Sequence, residues 1–245
     1  MTSDTTQTEL VTASPERLRE LITHARVVLW DFDGPICRLF AGHSAARVAA
    51  GLVNWLEGRG LHGLLAEDER KTEDPHEVLR AVDRRQPASD LVTEVEERLT
   101  QEELRAVRSA MPTAYADPLI RTWTAVGSRL AIVTNNSPRV VAGYLADRGL
   151  LACFGPHIYG RTQDLQYLKP HPRNLNRALT AMGAASSTAL FIGDTPTDYE
   201  AAREAGVPFL GYARNERKGR LLKEAGATDI VGSLEPVLVA VRAGG

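Results

Sequence analysis

Six short runs rich in apolar and β-branched residues recur along the chain: RVVLWDF (26–32), RLAIVTN (129–135), HIYG (157–160), TALFIGD (188–194), VPFLGYA (207–213) and TDIVG (228–232). From the second onward, helical patterns alternate with them. Continuous apolar strands of this kind fit a parallel sheet buried on both faces, because neither side of such a strand suits water. The chain therefore reads as an α/β protein, with a Rossmann-like doubly wound parallel sheet as its core.

Helical patterns fall at about 14–24, 43–59, 75–86, 89–99, 101–110, 117–126, 137–148, 172–182, 198–205, 215–225 and 233–242. Ser14-Pro15, Asp74-Pro75, Asp117-Pro118 and Ser137-Pro138 each set a capping residue before a proline suited to the first helical position. Thr100 with Glu103 fits a capping box, and Glu94 with Arg98 an i,i+4 pair. Between about 36 and 113 no convincing strand is seen, only four amphipathic helical patterns in succession. The expected organisation is an unstructured N-terminus over 1–13, a core domain built from 14–35 and 114–245, and a helical cap domain over 36–113.

In an open parallel sheet, ligands bind beyond the carboxyl ends of the strands, where the strand order switches. Here those ends carry Asp31 and Asp33, then Thr134 and Asn135, then Asp194 with Asp198 four residues on. Lys169, one of only four lysines among 29 basic residues, lies in LKPHP between the second and third groups. Several carboxylates in one pocket repel each other unless a cation offsets them. Oxygen ligands of this kind suit Mg²⁺, which favours carboxylates together with substrate phosphate. A hydroxyl, a lysine and the helix start after Ser137 supply donors for an anion. That chemistry is phosphoryl transfer to an aspartate nucleophile.

Taken together, DFDGP, VTNNS, LKPHP and FIGDTPTD resemble the four ordered motifs of the haloacid dehalogenase-like superfamily. The resemblance covers nearly the whole chain and is nearest to the phosphoglycolate-phosphatase-like branch with an α-helical cap. It implies that Asp31 attacks phosphorus and that Asp33 manages the proton. It also implies that Thr134 binds the phosphoryl oxygens with Asn135 close by, and that Lys169 steadies the charge. Asp31, Asp33, Asp194 and Asp198 would then form the Mg²⁺ site. Pro35 departs from the threonine or small aliphatic residue usual at its position, stiffening the turn that leaves the site. Asp33 argues against dehalogenation, since a halide leaving group needs no proton. Lys71, in the charged run EDERKTED, reads as a solvated residue rather than a Schiff-base amine.

The function implied is a Mg²⁺-dependent phosphatase acting on a small phosphorylated metabolite through an aspartyl-phosphate. A sugar phosphomutase on the same core, or a catalytically silent binding module, stays open as an alternative. Substrate contacts from the helical segment are expected from Arg38, His43 and Arg47, since an arginine there suits a carboxylate or second phosphate. Trp55, Trp30 and Cys37 read as packing residues. The basic stretch ARNERKGRLLK (213–223) lacks interleaved aromatics and reads as a solvated face. A net charge of -2 gives no reason to expect nucleic acid. No apolar run suits a membrane span, and the polar first dozen residues lack a signal-peptide pattern. Two cysteines without C-x-x-C spacing fit a reducing cytoplasm. The sequence leaves the oligomeric state open.

Overall fold

The computed structural model describes residues 12–244. Helix α1 (Pro15–His24) precedes strand β1 (Val27–Trp30), and a short β2 (Cys37–Arg38) follows. Helices α2 (Ala45–Gly58), α3 (Glu67–Arg70), α4 (Pro75–Arg85) and α5 (Asp90–Val107) come next, then β3 (Met111–Pro112). The remaining elements are α6 (Ala116–Ala125), β4 (Arg129–Val133), α7 (Pro138–Asp147), α8 (Leu151–Phe154), β5 (Ile158–Tyr159) and α9 (Arg173–Met182). They end with β6 (Ala189–Gly193), α10 (Pro196–Ala205), β7 (Phe209–Tyr212), α11 (Glu216–Ala225), β8 (Ile230–Val231) and α12 (Glu235–Gly244).

All six expected strands form, in one parallel sheet of order β5-β4-β1-β6-β7-β8. The chain winds outward from β1 through β4 to β5, then returns to β6 on the other side of β1. The switch point thus lies between β1 and β6, where Trp30 pairs with Ile192 and the Asp31 N–H donates to the Ile192 carbonyl at 2.9 Å. Alternation along β1 sends Val28 and Trp30 to one face, against α1, α6, α7 and α12, and Val27 and Leu29 to the other, against α9, α10 and α11.

Helices α2, α4 and α5 share a third apolar cluster, in which Val48, Leu52, Val78, Val82, Val95 and Leu99 are buried. Leu165 and Leu168, in the stretch before Lys169, join it. The segment between β2 and β3 therefore has its own core and is also seated on the sheet domain.

Several local expectations are corrected. Strands do occur in the 36–113 segment: β2 and β3 pair antiparallel at the ends of the helical stretch, too short to leave a period. The helices expected over 89–99 and 101–110 are one, capped by Ser89, so Thr100 and Glu103 are buried mid-helix rather than forming a capping box. Glu94 pairs with Arg59, while the Arg98 guanidinium lies 4.3 Å from the Trp55 ring. Asp117 is inside α6, whose cap is Tyr115 at a φ of 65°, and Asp117 instead pairs with Arg148. Ser137 precedes α7 without a side-chain capping bond, whereas Ser14 and Asp74 do cap their helices. Of the N-terminal residues expected to be unstructured, 1–11 lie outside those described. Thr12 and Ala13 are held, their N–H groups donating to the Ile230 carbonyl at 3.0 and 3.2 Å.

Candidate active site

Strand β1 ends in Asp31, which is 6% exposed. Lys169 reaches it from the segment before α9, its Nζ lying 2.7 Å from Asp31 Oδ1 and 2.5 Å from Asp198 Oδ1. The same ammonium donates to the Val133 carbonyl at 3.1 Å, which fixes it at the end of β4. The Asn135 side chain holds the lysine backbone from both sides: its Oδ1 accepts the Lys169 N–H at 2.8 Å, and its Nδ2 donates to the Lys169 carbonyl at 3.2 Å. Asn135 is thus a clamp on the lysine segment.

Asp194 and Asp198 sit at the end of β6 and in the first turn of α10. Thr195 caps that helix and Asp198 occupies its third position, so the expected start at 198 moves to Pro196. Asp198 Oδ2 accepts from the Asp194 and Thr195 N–H groups, both at 3.0 Å. The two glycines of these motifs make room for the carboxylates. A Cβ on Gly34, whose φ is 126°, would fall 2.3 Å from the Asp194 Cγ, and one on Gly193 2.5 Å from the Asp198 Cβ. Only glycine fits at 34.

Asp31, Asp194 and Asp198 each present one oxygen, and the three lie within 4.8 Å of one another. Asp194 Oδ1 is buried with no hydrogen-bond partner. An orphaned carboxylate oxygen in an all-oxygen cluster suits a hard divalent cation, so the residues present fit Mg²⁺.

Electrostatics reflect the crowding. Burial, then Asp198, pushes the Asp31 carboxyl up to about 7, against the pull of Lys169. Burial likewise raises Asp33 to about 6, and Asp194 to about 6 despite Lys218. Burial disfavours the Lys169 ammonium, yet Asp198 and Asp31 outweigh it and hold its pKa above the usual lysine value.

These groups line a cleft of about 550 Å³ that includes Asp31, Asp33, Thr134, Asn135, Lys169, Asp194 and Asp198. Asp33 accepts the Leu39 N–H at 2.8 Å. Thr134 is buried, with its hydroxyl donating to Asn136 Oδ1 at 3.0 Å. Arg38 reaches the cleft, but His43 and Arg47 do not line it. They face a separate cavity between α2 and α5, where His43 Nε2 lies 2.8 Å from Glu102. That cavity, about 750 Å³, is larger but holds none of the clustered aspartates.

Sequence reasoning missed five side chains here. Arg214, Arg217 and Lys218 line the cleft, and Lys218 Nζ is 2.8 Å from Asp194 Oδ2, so this part of 213–223 is not simply a solvated face. Their place just beyond the carboxyl end of β7 was the available signal. His76 and Arg80 of α4 also line the cleft, and the Arg80 guanidinium donates to the Lys169 carbonyl. Their only sequence mark is a position in the first turns of a helix.

A doubly wound sheet that gathers buried carboxylates and two lysines at its switch point defines an α/β enzyme core with an oxygen-donor centre. The chain belongs to the haloacid dehalogenase-like hydrolases, whose family model matches residues 25–206. A phosphoglycolate phosphatase of Thiobacillus denitrificans is 31% identical over 125 residues, covering 51% of this chain and 54% of that one. A probable phosphoglycolate phosphatase of Pseudomonas savastanoi is 30% identical over 113 residues, covering 46% and 69%. The chain spans about half the length of most of the curated relatives it matches. Among solved structures, CbbY of Rhodobacter sphaeroides in complex with phosphate has a TM-score of 0.65 at 18% identity, covering 89% of this chain and 99% of that one. A hydrolase of the same family from Deinococcus radiodurans, with bound phosphate and sodium, has a TM-score of 0.59 at 23% identity, covering 91% and 97%. Likeness at these identities is a likeness of fold. Among the described residues, no helix is long and apolar enough to cross a membrane.

Proposed function

We propose that the protein is a Mg²⁺-dependent phosphatase that hydrolyses a small phosphomonoester through an aspartyl-phosphate on Asp31. The observation that carries this reading is Lys169 Nζ held between Asp31 and Asp198, beside an Asp194 oxygen that has no protein partner. Mg²⁺, held by Asp31, Asp194 and Asp198 with the Asp33 backbone carbonyl, would supply positive charge against the phosphoryl oxygens. Asp31 attacks phosphorus and Lys169 offsets the repulsion between its carboxylate and the phosphate. Thr134 donates its hydroxyl to a phosphoryl oxygen, a bond it now makes to Asn136. Asp33, with a carboxyl raised to about 6, gives a proton to the leaving oxygen and takes one from the hydrolytic water.

The helices of 45–107 serve as the cap of this cleft, and Arg38 and Arg80 are its substrate-facing cations. The similarity to phosphoglycolate phosphatases and the size of the cleft favour a small phosphorylated acid or sugar. Phosphate release from a panel of such compounds, with Mg²⁺ or with chelator, tests the reading. Release should require the metal, and Asp31→Asn should abolish it with the fold intact. Turnover by that variant at the wild-type rate would remove Asp31 as nucleophile.

A further inference from the structure

Away from the reacting carboxylates lies a second buried cluster, which joins the helical layer to the sheet. Glu103 of α5 is 0% exposed and Arg161, just beyond β5, is 3% exposed. They form a two-pronged pair, with Arg161 Nη1 2.9 Å and Nη2 3.0 Å from the two Glu103 oxygens. The guanidinium also donates to Glu96, to the Thr100 hydroxyl and to the Asn135 carbonyl. Glu103 accepts twice more from the sheet domain: Asn136 Nδ2 donates at 2.9 Å and the Ser137 N–H at 3.1 Å. His76 Nε2 lies 3.4 Å away on the cleft side.

This cluster covers one short loop, residues 134–137. Asn136 spans it, giving its Nδ2 hydrogen to Glu103 and accepting the Thr134 hydroxyl on Oδ1. The Ser137 side chain makes no capping bond, and the N–H of this residue, just before α7, is satisfied by a carboxylate from another layer. The Asn135 carbonyl is held by Arg161 while its side chain clamps the Lys169 backbone. Removing the partner of a buried charge is far costlier than the net worth of the pair, so such a cluster persists in a single geometry.

We propose that Glu103 is a positioning residue for phosphoryl transfer, acting with Arg161 through Asn136, Ser137 and the Asn135 carbonyl to fix Thr134 and the Lys169 segment. The helical layer thereby contributes to the reaction from a residue that lines no part of the cleft. This inference rests on the phosphatase reading of the site. It assigns the position of the Thr134 hydroxyl oxygen and the placement of Lys169 to a contact made across two layers. With its oxygen already in place, Thr134 needs only to turn its hydrogen from Asn136 Oδ1 to the phosphoryl oxygen, and a held group of this kind counts in the transition state because little else rearranges as charge moves.

The test uses the full chain and the best phosphomonoester found. Asn136→Ala removes the bridge while leaving Glu103 paired with Arg161, so the fold should survive. It should lower kcat about 10- to 100-fold with KM nearly unchanged. In a Thr134→Val background, where no hydroxyl remains to be held, the same substitution should cost less than about twofold. Glu103→Gln should reproduce the kcat loss, whereas Val95→Ala, which loosens only the helical core, should not at matched thermal stability. Folded Asn136→Ala with wild-type kcat, or losses that simply multiply in the double variant, would overturn the proposal. If Glu103→Gln does not fold, the Asn136 and Thr134 pair decides alone. If the wild type releases no phosphate from any compound, the phosphatase reading fails. Amide exchange then decides the positioning claim: Ser137 should exchange about tenfold faster in Asn136→Ala than in Val95→Ala, and equal rates would reject it.

Discussion

At the scale of single residues, the site depends on what is absent as much as on what is present. Gly34 leaves Asp194 the space a Cβ would take, at a φ that other residues reach only under strain. Gly34→Ala should displace the Asp194 carboxylate, cost about 1–3 kcal/mol of stability and reduce metal-dependent turnover at least tenfold. Chemical denaturation and phosphate release measure the two effects; an active variant of normal stability would show that Asp194 can yield. Asp31, Asp33, Lys169 and Asp194, which line one cleft, were legible as candidates because their types are costly to bury together and rarely meet without purpose. Lys218 and Glu103 were not. Their roles come from partners far away in the chain, Asp194 and Arg161, and a local reading gave each an ordinary surface or capping role.

At the scale of elements, strands were easier to read than helix boundaries. Strands buried on both faces must be nearly apolar throughout, a trace plain in β1, β6 and β7, while the half-buried edge strand β5 left a fainter one. The break expected at Thr100 illustrates the opposite case. Polar residues inside a helix look like a cap until a buried guanidinium is known to satisfy them. Because α5 is continuous, Leu99 belongs to an unbroken apolar stripe with Val92 and Val95 and is 0% exposed. Leu99→Ala should therefore cost about 2–5 kcal/mol, as expected in a tightly packed core. A thermal or urea unfolding comparison checks this, and a loss below about 1 kcal/mol would indicate a helix frayed near residue 100. Neither β2 nor β3 was legible, since two residues have no period and their pairing is set by the closure of the segment between them.

For the whole molecule, the balance of charge at the carboxyl end of the sheet ties stability to pH and to metal. Asp31, Asp33 and Asp194 titrate at about 7, 6 and 6 in the folded chain, against about 3.9 when unfolded. Their raised values favour the fold fully below about pH 4, and that contribution is lost as the pH rises through 6 to 7. A cation bound only by the folded carboxylates restores stability, by about 2.7 kcal/mol at a hundredfold excess over Kd. The gain in melting temperature on adding Mg²⁺ should be larger at pH 8 than at pH 5. Equal gains at both would place the ion elsewhere. The double winding that brings these acids together was foreseeable from the alternation of apolar strands and helices; the fit of the helical layer to the sheet was not, because it rests on the buried Glu103–Arg161 pair and on a few contacts such as those of Leu165 and Leu168 rather than on any repeated pattern.

The short β2–β3 ladder sews the two ends of residues 39–110 side by side, with Cys37 opposite Pro112 and Arg38 opposite Met111. A segment closed at its base in this way is a cassette: its exchange would leave Asp31 and Asp194 at the ends of their strands. Arg161 sets the terms of any such graft. A donor segment lacking an acid at the depth of Glu103 would strand a guanidinium in the interior, so a viable hybrid needs either that acid or a second change at position 161. The sheet domain thus keeps a lock that only a matching insert can close.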